Sequence, residues 1–314
     1  MRIGRTAVVS DTGRRRFNNE DSYVCDPPLF AIADGVGGAQ AGELASHLAA
    51  AVLGERRQGG RGEDVLVSLI AEANQRIYQR SLGDPSVAGM GTTVTALLVD
   101  EAAGTLAIGH VGDSRAYVFH AGTLEQLTDD HSLVGELVRS GRLTPDAAEQ
   151  HPHRSVITRV VGTEPTVDVD IVTIRPEPGD VYVLCSDGLT DMVQDVEIAR
   201  ALTEADREPD AAARALVAAA NGAGGIDNIT VVVFEIEDGN PPSPSPPAPD
   251  DTTAEAVEAA VPEPEAATAV GAVTDQTVAV KRHGAGAGGR VLAIAAIVVA
   301  LAAAALLVWW SVRG

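Results

Sequence analysis

Four short acidic motifs lie in glycine- or asparagine-rich contexts along this 314-residue chain. They occupy residues 19–21, 34–38, 186–188 and 227–228, and three of them adjoin apolar runs typical of β-strands. Carboxylates at the ends of several strands can converge, and they then repel one another unless a cation lies between them. Oxygen ligands favour hard divalent ions, such as magnesium or manganese, over zinc. The pattern therefore indicates a metal-dependent hydrolase.

Two other interpretations of these motifs stay open at this point. Each Asp-Gly or Asp-Asn pair, taken alone, suits a tight turn as well as it suits a metal ligand. The glycine-rich segment 34–38 could form a nucleotide-binding loop, but it lacks the G-x-G-x-x-G spacing and the Gly-Lys-Ser/Thr sequence of common phosphate-binding loops. The recurrence of acidic strand ends within one domain favours the metal site.

The composition restricts the function further. Hydrophobic residues make up 45% of the chain and aromatic residues only 3%, so aliphatic side chains must fill the core. The formal net charge of −21 argues against a nucleic-acid partner, because phosphate backbones attract basic surfaces. The two cysteines, Cys25 and Cys185, lie in apolar surroundings and are expected to be thiols in a reducing compartment rather than a disulfide.

The composition also divides the chain into a globular domain, a linker and a membrane span. Residues 1–237 have the composition of a folded domain, whereas residues 238–290 are rich in proline, alanine and acidic side chains and are expected to be a disordered linker. Residues 291–310 contain no charge and no proline, and a helix of this length spans about 30 Å, the thickness of a bilayer core. Residues 311–314 would form a short extracytoplasmic tail.

The charges that flank the predicted span indicate its orientation. Lys281, Arg282 and Arg290 precede the span, and Arg313 follows it. Because positive residues favour the cytoplasmic side, the domain is predicted to be cytoplasmic and anchored to the cell membrane by a single span. The N-terminus carries no long apolar stretch of the kind found in signal peptides, so a signal peptide is not expected.

The apolar pattern of the globular part predicts an antiparallel α+β domain. Apolar runs ended by turn residues predict strands at residues 3–10, 29–33, 93–99, 105–111, 116–120, 181–185 and 229–236. Val167, Val169 and Ile171 alternate with aspartates, as in a half-exposed strand. Apolar residues at helical spacing predict two long helices near residues 44–52 and 66–77, and another helical pair follows late in the domain. Because strands come in hairpin-like runs and helices in pairs, a layered antiparallel fold is favoured over a doubly wound sheet.

Eight motifs in one order along the domain resemble those of the PP2C (PPM) family of metal-dependent protein serine/threonine phosphatases. Residues 10–21 resemble the opening motif of that family, and residues 33–38 resemble its second motif. The remaining six match at residues 89–93, 109–115, 127–132, 157–159, 185–191 and 227–230. The match covers nearly all of residues 4–236, and the resemblance is greatest to bacterial members, which often carry a membrane span after the catalytic domain.

The resemblance implies a four-layer α-β-β-α sandwich, in which two antiparallel sheets flanked by helices hold a metal cluster at one edge. It implies two or three Mn²⁺ or Mg²⁺ ions per domain, and it makes Arg16 the residue that binds the substrate phosphate bidentately. The resemblance implies metal-binding positions at Glu20, Asp21, Asp34, Gly35, Asp113, Asp187 and Asp227. The predicted catalytic residues are Arg16, Asp34, Asp187 and Asp227. Asp34 would bridge two ions, and Asp113 would form a third site with Asp187.

The implied reaction is hydrolysis of phosphoserine and phosphothreonine on proteins by a metal-bound hydroxide, with neither cysteine as a nucleophile. Membrane anchoring points to serine/threonine kinases and their substrates as partners, and the phosphatase would oppose those kinases. A catalytically silent scaffold and a phosphoesterase for small molecules are the alternatives. The presence of Arg16 together with the acidic residues argues against the scaffold.

The sequence departs from the family pattern where a proton donor is sometimes found. Val36 stands where animal relatives carry a histidine that is proposed as the general acid. A water on the ion held by Asp113 and Asp187 is the preferred donor, and His131 is the rival.

The segment between the middle motifs corresponds to the variable flap of the family, a mobile segment beside the site. It covers residues 132–154, and its histidines, His151 and His153, are not expected to bind metal because the family uses no histidine ligands there. Ser155 follows this segment at a position where asparagine is common, and the residues give no physical account of its effect.

Overall fold

The structure is a computed structural model, and it describes residues 1–37, 41–55 and 62–238. The predicted linker from residue 239 onward and the predicted span at residues 291–310 lie outside the described residues. Among the helices of the described part, none combines the length and the apolar character needed to cross a bilayer.

Two antiparallel sheets form the centre of the described domain. The first consists, in spatial order, of β1 (Arg2–Asp11), β11 (Ile229–Glu237), β10 (Val181–Cys185), β7 (Arg115–His120) and β8 (Thr123–Gln126). The second consists of β2 (Asp21–Asp26), β3 (Leu29–Val36), β5 (Val94–Asp100), β6 (Thr105–Val111) and β9 (Asp170–Ile174), and the short β4 (Gly91–Thr92) pairs with the end of β3. The antiparallel layered fold that the sequence predicts is confirmed.

The two sheets pack face to face through a dry aliphatic and aromatic layer. Phe30 of β3 stacks on Phe234 of β11 with ring centroids 4.0 Å apart, and Tyr182 of β10 stacks on the same ring at 5.1 Å. Alternate residues of the central strands, such as Leu97 and Val232, complete this layer. A chain with few aromatic residues thus places three of them between the sheets, where each buries a large apolar area.

Helices cover the outer face of each sheet. The second sheet carries α1 (Ala41–Gly54) and α2 (Gly62–Gly83), and the first carries α6 (Asp195–Glu204) and α7 (Pro209–Ala223). Three shorter helices, α3 (Leu133–Arg139), α4 (Pro145–Glu149) and α5 (Asp187–Thr190), lie in the connections. The layers therefore follow the order helix, sheet, sheet, helix. Both cysteines are free thiols, as predicted, with Cys185 buried and Cys25 half-buried.

One predicted strand begins later than its pattern indicates. The alternation from Val167 to Ile171 predicts a strand, but β9 starts only at Asp170, which pairs with His110 of β6. Val167 and Val169 still pack against the apolar layer under α1 and α2. Their alternation therefore reflects burial of one side of an extended segment, which precedes the point where β6 supplies hydrogen-bond partners.

A buried acidic group lies at the end of the first sheet where β10 begins. His120 at the end of β7 contacts Asp180 through Nδ1 and Oδ1 at 2.5 Å, and Asp180 also accepts hydrogen bonds from the Glu177 backbone and the Tyr182 hydroxyl. The hydrogen bond to Asp180 raises the pKa of His120 above its ordinary value. The charged imidazole is therefore more stable in the folded state than in the unfolded chain.

We expect His120 to make folding stability depend on pH. Because its folded pKa is raised, its contribution is fully present below the unfolded pKa of about 6.5 and is lost as pH rises through the folded pKa. The free energy of unfolding of His120→Asn, measured by urea titration between pH 5.5 and 9, should fall furthest below the wild-type value at the acid end. His47→Asn is the matched control, because the His47 ring bonds the Glu43 backbone carbonyl rather than a carboxylate. A constant difference between His120→Asn and wild type at every pH would contradict the assignment.

Candidate active site

The predicted acidic residues converge at one edge of the two sheets. Asp34 ends β3 and is paired across the strands with Asp21, the first residue of β2. Asp187 begins α5 directly after β10, Asp227 precedes β11, and Asp113 follows β6. Strands from both sheets thus bring five carboxylates from distant parts of the sequence to one place.

These carboxylates are held close together with little water around them. Loss of hydration, followed by the charges of Asp21, Asp187, Asp113 and Asp227, raises the pKa of Asp34 well above its ordinary value. Loss of hydration raises the pKa of Asp21 to about 6 and that of Asp113 to about 7. The pKa of Asp187 is also well raised, first by loss of hydration and then by Asp113 and Asp227. Such a group is costly to ionise unless positive charge is supplied.

Several of the oxygens at this edge fit a hard cation. One carboxylate oxygen each of Asp21, Asp113 and Asp187 is buried without a hydrogen-bond partner. A buried carboxylate oxygen normally finds a donor, so three orphaned oxygens in one cluster match a site for divalent metal ions. Gly35 lies against the start of α1, and a Cβ atom at this position would come within 2.3 Å of the Gly42 carbonyl oxygen. Any larger residue at 35 would displace the backbone beside the carboxylates.

The side chains do not yet enclose a common point. Within the described residues, no three His, Cys, Asp or Glu side chains close around a single position as the ligands of one ion would. Asp227 instead contacts Arg16 at 2.6 Å, and Asp21 accepts hydrogen bonds from Ser186 and Thr230 at 2.8 and 2.7 Å. The donor chemistry fits metal ions, although the Asp227 carboxylate is paired with Arg16 in this structure.

Asn228 is a positioning residue to which the sequence analysis assigns no role. Its side-chain oxygen accepts from the Glu20 backbone at 2.8 Å, and its amide donates to the carbonyls of Thr12 and Asn18 at 3.0 and 2.9 Å. One buried side chain thereby fixes both ends of the loop that carries Arg16. The sequence signal for this role is the asparagine that directly follows Asp227. Its hydrogen-bond partners, however, are distant in sequence and are known only from the structure.

Hydroxyl groups hold the backbone around Asp34. The Asp34 amide donates to the Thr93 hydroxyl at 3.0 Å, and its carbonyl accepts from the Thr92 hydroxyl and the Thr93 amide, both at 2.8 Å. Both threonines are fully buried. The conformation at the end of β3 is therefore set by neighbours that carry no charge, and the carboxylate remains available for a ligand.

His131 is bonded in a way that makes it a structural residue. Its Nδ1 accepts from the Gly112 amide at 3.0 Å, so its other nitrogen carries the proton, which it donates to Asp170 at 3.1 Å. Burial lowers the pKa of His131. The ring is nearly inaccessible to solvent, and its role is to hold the turn before Asp113 in place.

The segment predicted to be a flap borders a cleft that opens beside Asp113 and Asp187. The cleft has a volume of about 980 Å³, and its lining includes Ser155 and the ion pair of Arg154 with Asp191, whose oxygen and nitrogen are 2.5 Å apart. The rings of His151 and His153 lie 5.7 Å apart. The cleft gives a large ligand access to the carboxylates from this side.

Comparison with known proteins places the chain in a family. The model of the family described as protein phosphatase 2C matches residues 17–212. The serine/threonine protein phosphatase PstP of Mycobacterium tuberculosis is 41% identical over 237 residues, which are 74% of this chain and 45% of PstP. The serine/threonine phosphatase stp of Listeria monocytogenes is 36% identical over 238 residues, 72% of this chain and 93% of stp.

Solved structures agree with this match. The crystal structure of M. tuberculosis PstP superimposes with a TM-score of 0.71 at 40% identity and covers 75% of this chain and 99% of that one. A structure of the PstP catalytic domain in complex with two manganese ions gives a TM-score of 0.69 at 38% identity, with 75% and 99% covered. The chain belongs to the protein phosphatase 2C family, and the resemblance seen in its motifs is confirmed.

We expect removal of one charge from the carboxylate cluster to stabilise the metal-free protein. In full-length protein with excess chelator, Asp34→Asn should raise the melting temperature by about 1–8 °C, the shift that corresponds to about 0.5–2 kcal/mol in a domain of this size. Adding Mn²⁺ should raise the melting temperature of wild type but have little effect on Asp34→Asn. Asp64→Asn, which removes an exposed charge on α2, is the control and should retain the Mn²⁺ response. A lower melting temperature for Asp34→Asn in chelator would show that repulsion does not dominate the site.

Proposed function

We propose that this chain is a protein phosphatase that hydrolyses phosphoserine and phosphothreonine esters on proteins. The observation that carries the proposal is the 2.6 Å contact of Arg16 with Asp227, at the edge of a group of buried and half-buried carboxylates. Such a site pairs a guanidinium for phosphate with oxygen ligands for the ions that offset its charge. The names of the relatives at 36–41% identity support the same reaction.

Each residue of the site would have a distinct role. Two or three Mn²⁺ or Mg²⁺ ions, held by Glu20, Asp21, Asp34, the Gly35 carbonyl, Asp113, Asp187 and Asp227, would supply Lewis-acid activation of water and neutralise phosphate charge. Arg16 would bind two phosphate oxygens through its planar fork, which matches their spacing. The Arg16 guanidinium contacts Asp227 in this structure. If the guanidinium bound a phosphate instead, the Asp227 carboxylate would be free to bind an ion.

Three side chains near the site are unsuited to act as nucleophile or proton donor. Burial raises the pKa of Cys185 to about 12, so its thiolate is not available as a nucleophile. His131 donates its proton to Asp170 and is buried, and Val36 carries no proton to give. The acid that protonates the leaving serine or threonine oxygen must therefore be another group.

The cellular location of the protein and its partners are proposed from the sequence outside the described residues. We propose that residues 291–310 anchor the domain of residues 1–237 to the cytoplasmic face of the cell membrane through the linker. The substrates would then be phosphorylated proteins at that membrane, among them serine/threonine kinases whose action the phosphatase opposes.

The reaction is tested with three substrates in the presence of Mn²⁺. Full-length protein in detergent should hydrolyse a phosphothreonine peptide and p-nitrophenyl phosphate, and excess chelator should abolish both activities. A nucleotide should be a poor substrate. A preference for the nucleotide would favour the small-molecule phosphoesterase, and the lack of any turnover would favour a silent scaffold.

Arg16→Ala should weaken substrate binding in the same assay. It removes a charge-assisted contact of roughly 1.5–3 kcal/mol, or about 10- to 150-fold in kcat/KM, while the Mn²⁺ concentration for half-maximal activity changes little. Arg15→Ala, a neighbouring exposed arginine, is the matched control. An equal loss in both variants would mean that the phosphate is not bound through Arg16.

The domain should act without the remainder of the chain. The described core ends with β11, so residues 1–237 should form a soluble phosphatase whose turnover of phosphopeptides is close to that of the full chain. In cells the full chain should sediment with membranes, and the truncated one should not. A truncated protein that aggregates, or a full chain found in the soluble fraction, would contradict the proposed organisation.

A further inference from the structure

Phe17 is a phenylalanine on the surface of a domain that buries its other phenylalanines. Its relative exposure is 101%, whereas Phe30, Phe119 and Phe234 are 2% exposed or less. Single exposed apolar side chains are common and need no explanation by themselves. The position of Phe17, directly after Arg16, is what gives its exposure a meaning.

A second exposed apolar residue is the chain neighbour of Asp227, the residue that contacts Arg16. Ile226 is 55% exposed and directly precedes Asp227, whose carboxylate contacts Arg16 at 2.6 Å. Each member of the Arg16–Asp227 ion pair, which is proposed to receive the substrate phosphate, thus has an exposed large apolar residue as its neighbour in the chain. A phosphate bound by Arg16 would bring its own peptide chain over Phe17 and Ile226.

The backbone presents both side chains on fixed loops. Asn228 bonds the carbonyls at both ends of the Phe17 loop, and the Arg14 amide donates to the Gly225 carbonyl at 2.7 Å. Gly225 has a φ of +53°, and a Cβ atom there would come within 2.6 Å of the Asn221 side chain. The two loops are therefore locked together, and a ligand would not have to order them on binding.

From this arrangement we infer that Phe17 and Ile226 form an apolar rim that selects substrates, and the inference rests on the proposed phosphatase function. The rim contacts a large apolar side chain within two residues of the phosphorylated serine or threonine. Adjacent residues of an extended peptide are about 3.3 Å apart along the chain, so such a side chain reaches the residues next to Arg16. The preferred substrates carry leucine, valine or phenylalanine there rather than small polar residues.

The negative charge of the domain disfavours substrates with acidic residues beside the phosphate. Residues 1–238 contain 19 arginines, no lysine and 37 aspartate or glutamate residues. A substrate with acidic residues beside its phosphate would be repelled by this surface, whereas an apolar flank gains contact area without that cost.

The rim is tested with two phosphothreonine peptides that differ only in the two residues on each side of the phosphothreonine, leucine in one and serine in the other. Full-length wild type in detergent with Mn²⁺ should have a higher kcat/KM for the leucine peptide. Phe17→Ser should reduce the ratio of the two kcat/KM values by about 5- to 30-fold, the effect of losing an apolar anchor. Ile226→Ser should reduce the same ratio to a smaller extent.

The control and the opposing outcomes separate this inference from the function on which it rests. Leu82→Ser removes another exposed apolar side chain, 64% exposed, from α2 and should leave the ratio unchanged. Equal kcat/KM values for both peptides in wild type, or an unchanged ratio in both rim variants, would overturn the rim while leaving the phosphatase intact. No turnover of either peptide or of p-nitrophenyl phosphate by wild type would overturn the proposed function itself. Melting temperatures of the variants exclude loss of folding as the cause.

Discussion

The burial of several carboxylates close together is the constraint on which this structure depends. Loss of hydration, followed by the negative charges of neighbours from both sheets, raises the pKa values of Asp34 and Asp187, so both groups are costly to ionise without added positive charge. The remainder of the domain holds these groups in place against the repulsion, through paired strands, buried hydroxyls and the Asn228 amide. The backbone that carries these carboxylates is thereby held in place without an ion, although within the described residues their side chains do not close around one point.

Short-range patterns in the sequence predicted much of the fold. Strands with long apolar runs, such as β5, β6 and β11, were found because burial on both faces leaves a local signature. The strand β2 was missed, because its six residues mix buried and exposed positions and its pairing partner, β3, determines its conformation. The strand β9 was predicted to start too early for a related reason. The alternation of residues 167–171 reports burial, whereas the start of β9 depends on where β6 supplies hydrogen-bond partners.

The site was predictable to the extent that its residues carry charge. The acidic strand ends stand out in the sequence, whereas only the resemblance of its motif distinguished Arg16 from the neighbouring Arg14 and Arg15. The structure brings Arg16 into contact with Asp227. Asn228, Thr92 and Thr93 are neutral, and their roles depend on partners far away in sequence, so nothing local marks them. His131 was assigned as a rival proton donor from its motif, whereas its burial and the contacts of its ring nitrogens with Gly112, Asp170 and Arg159 make it a support for the turn before Asp113.

The pairing of the first strand with the last has a consequence for how the protein is made. β1 lies at an edge of its sheet with β11 as its neighbour, and Asp11 pairs with Ile229, more than two hundred residues later. A chain emerging from the ribosome therefore has no partner for its first strand, and no clamp on the Arg16 loop, until nearly the whole domain has been synthesised. Incomplete chains would lack both β11 and Asn228, so the loop that carries Arg16 is held in place only after the last strand of the domain has joined its sheet.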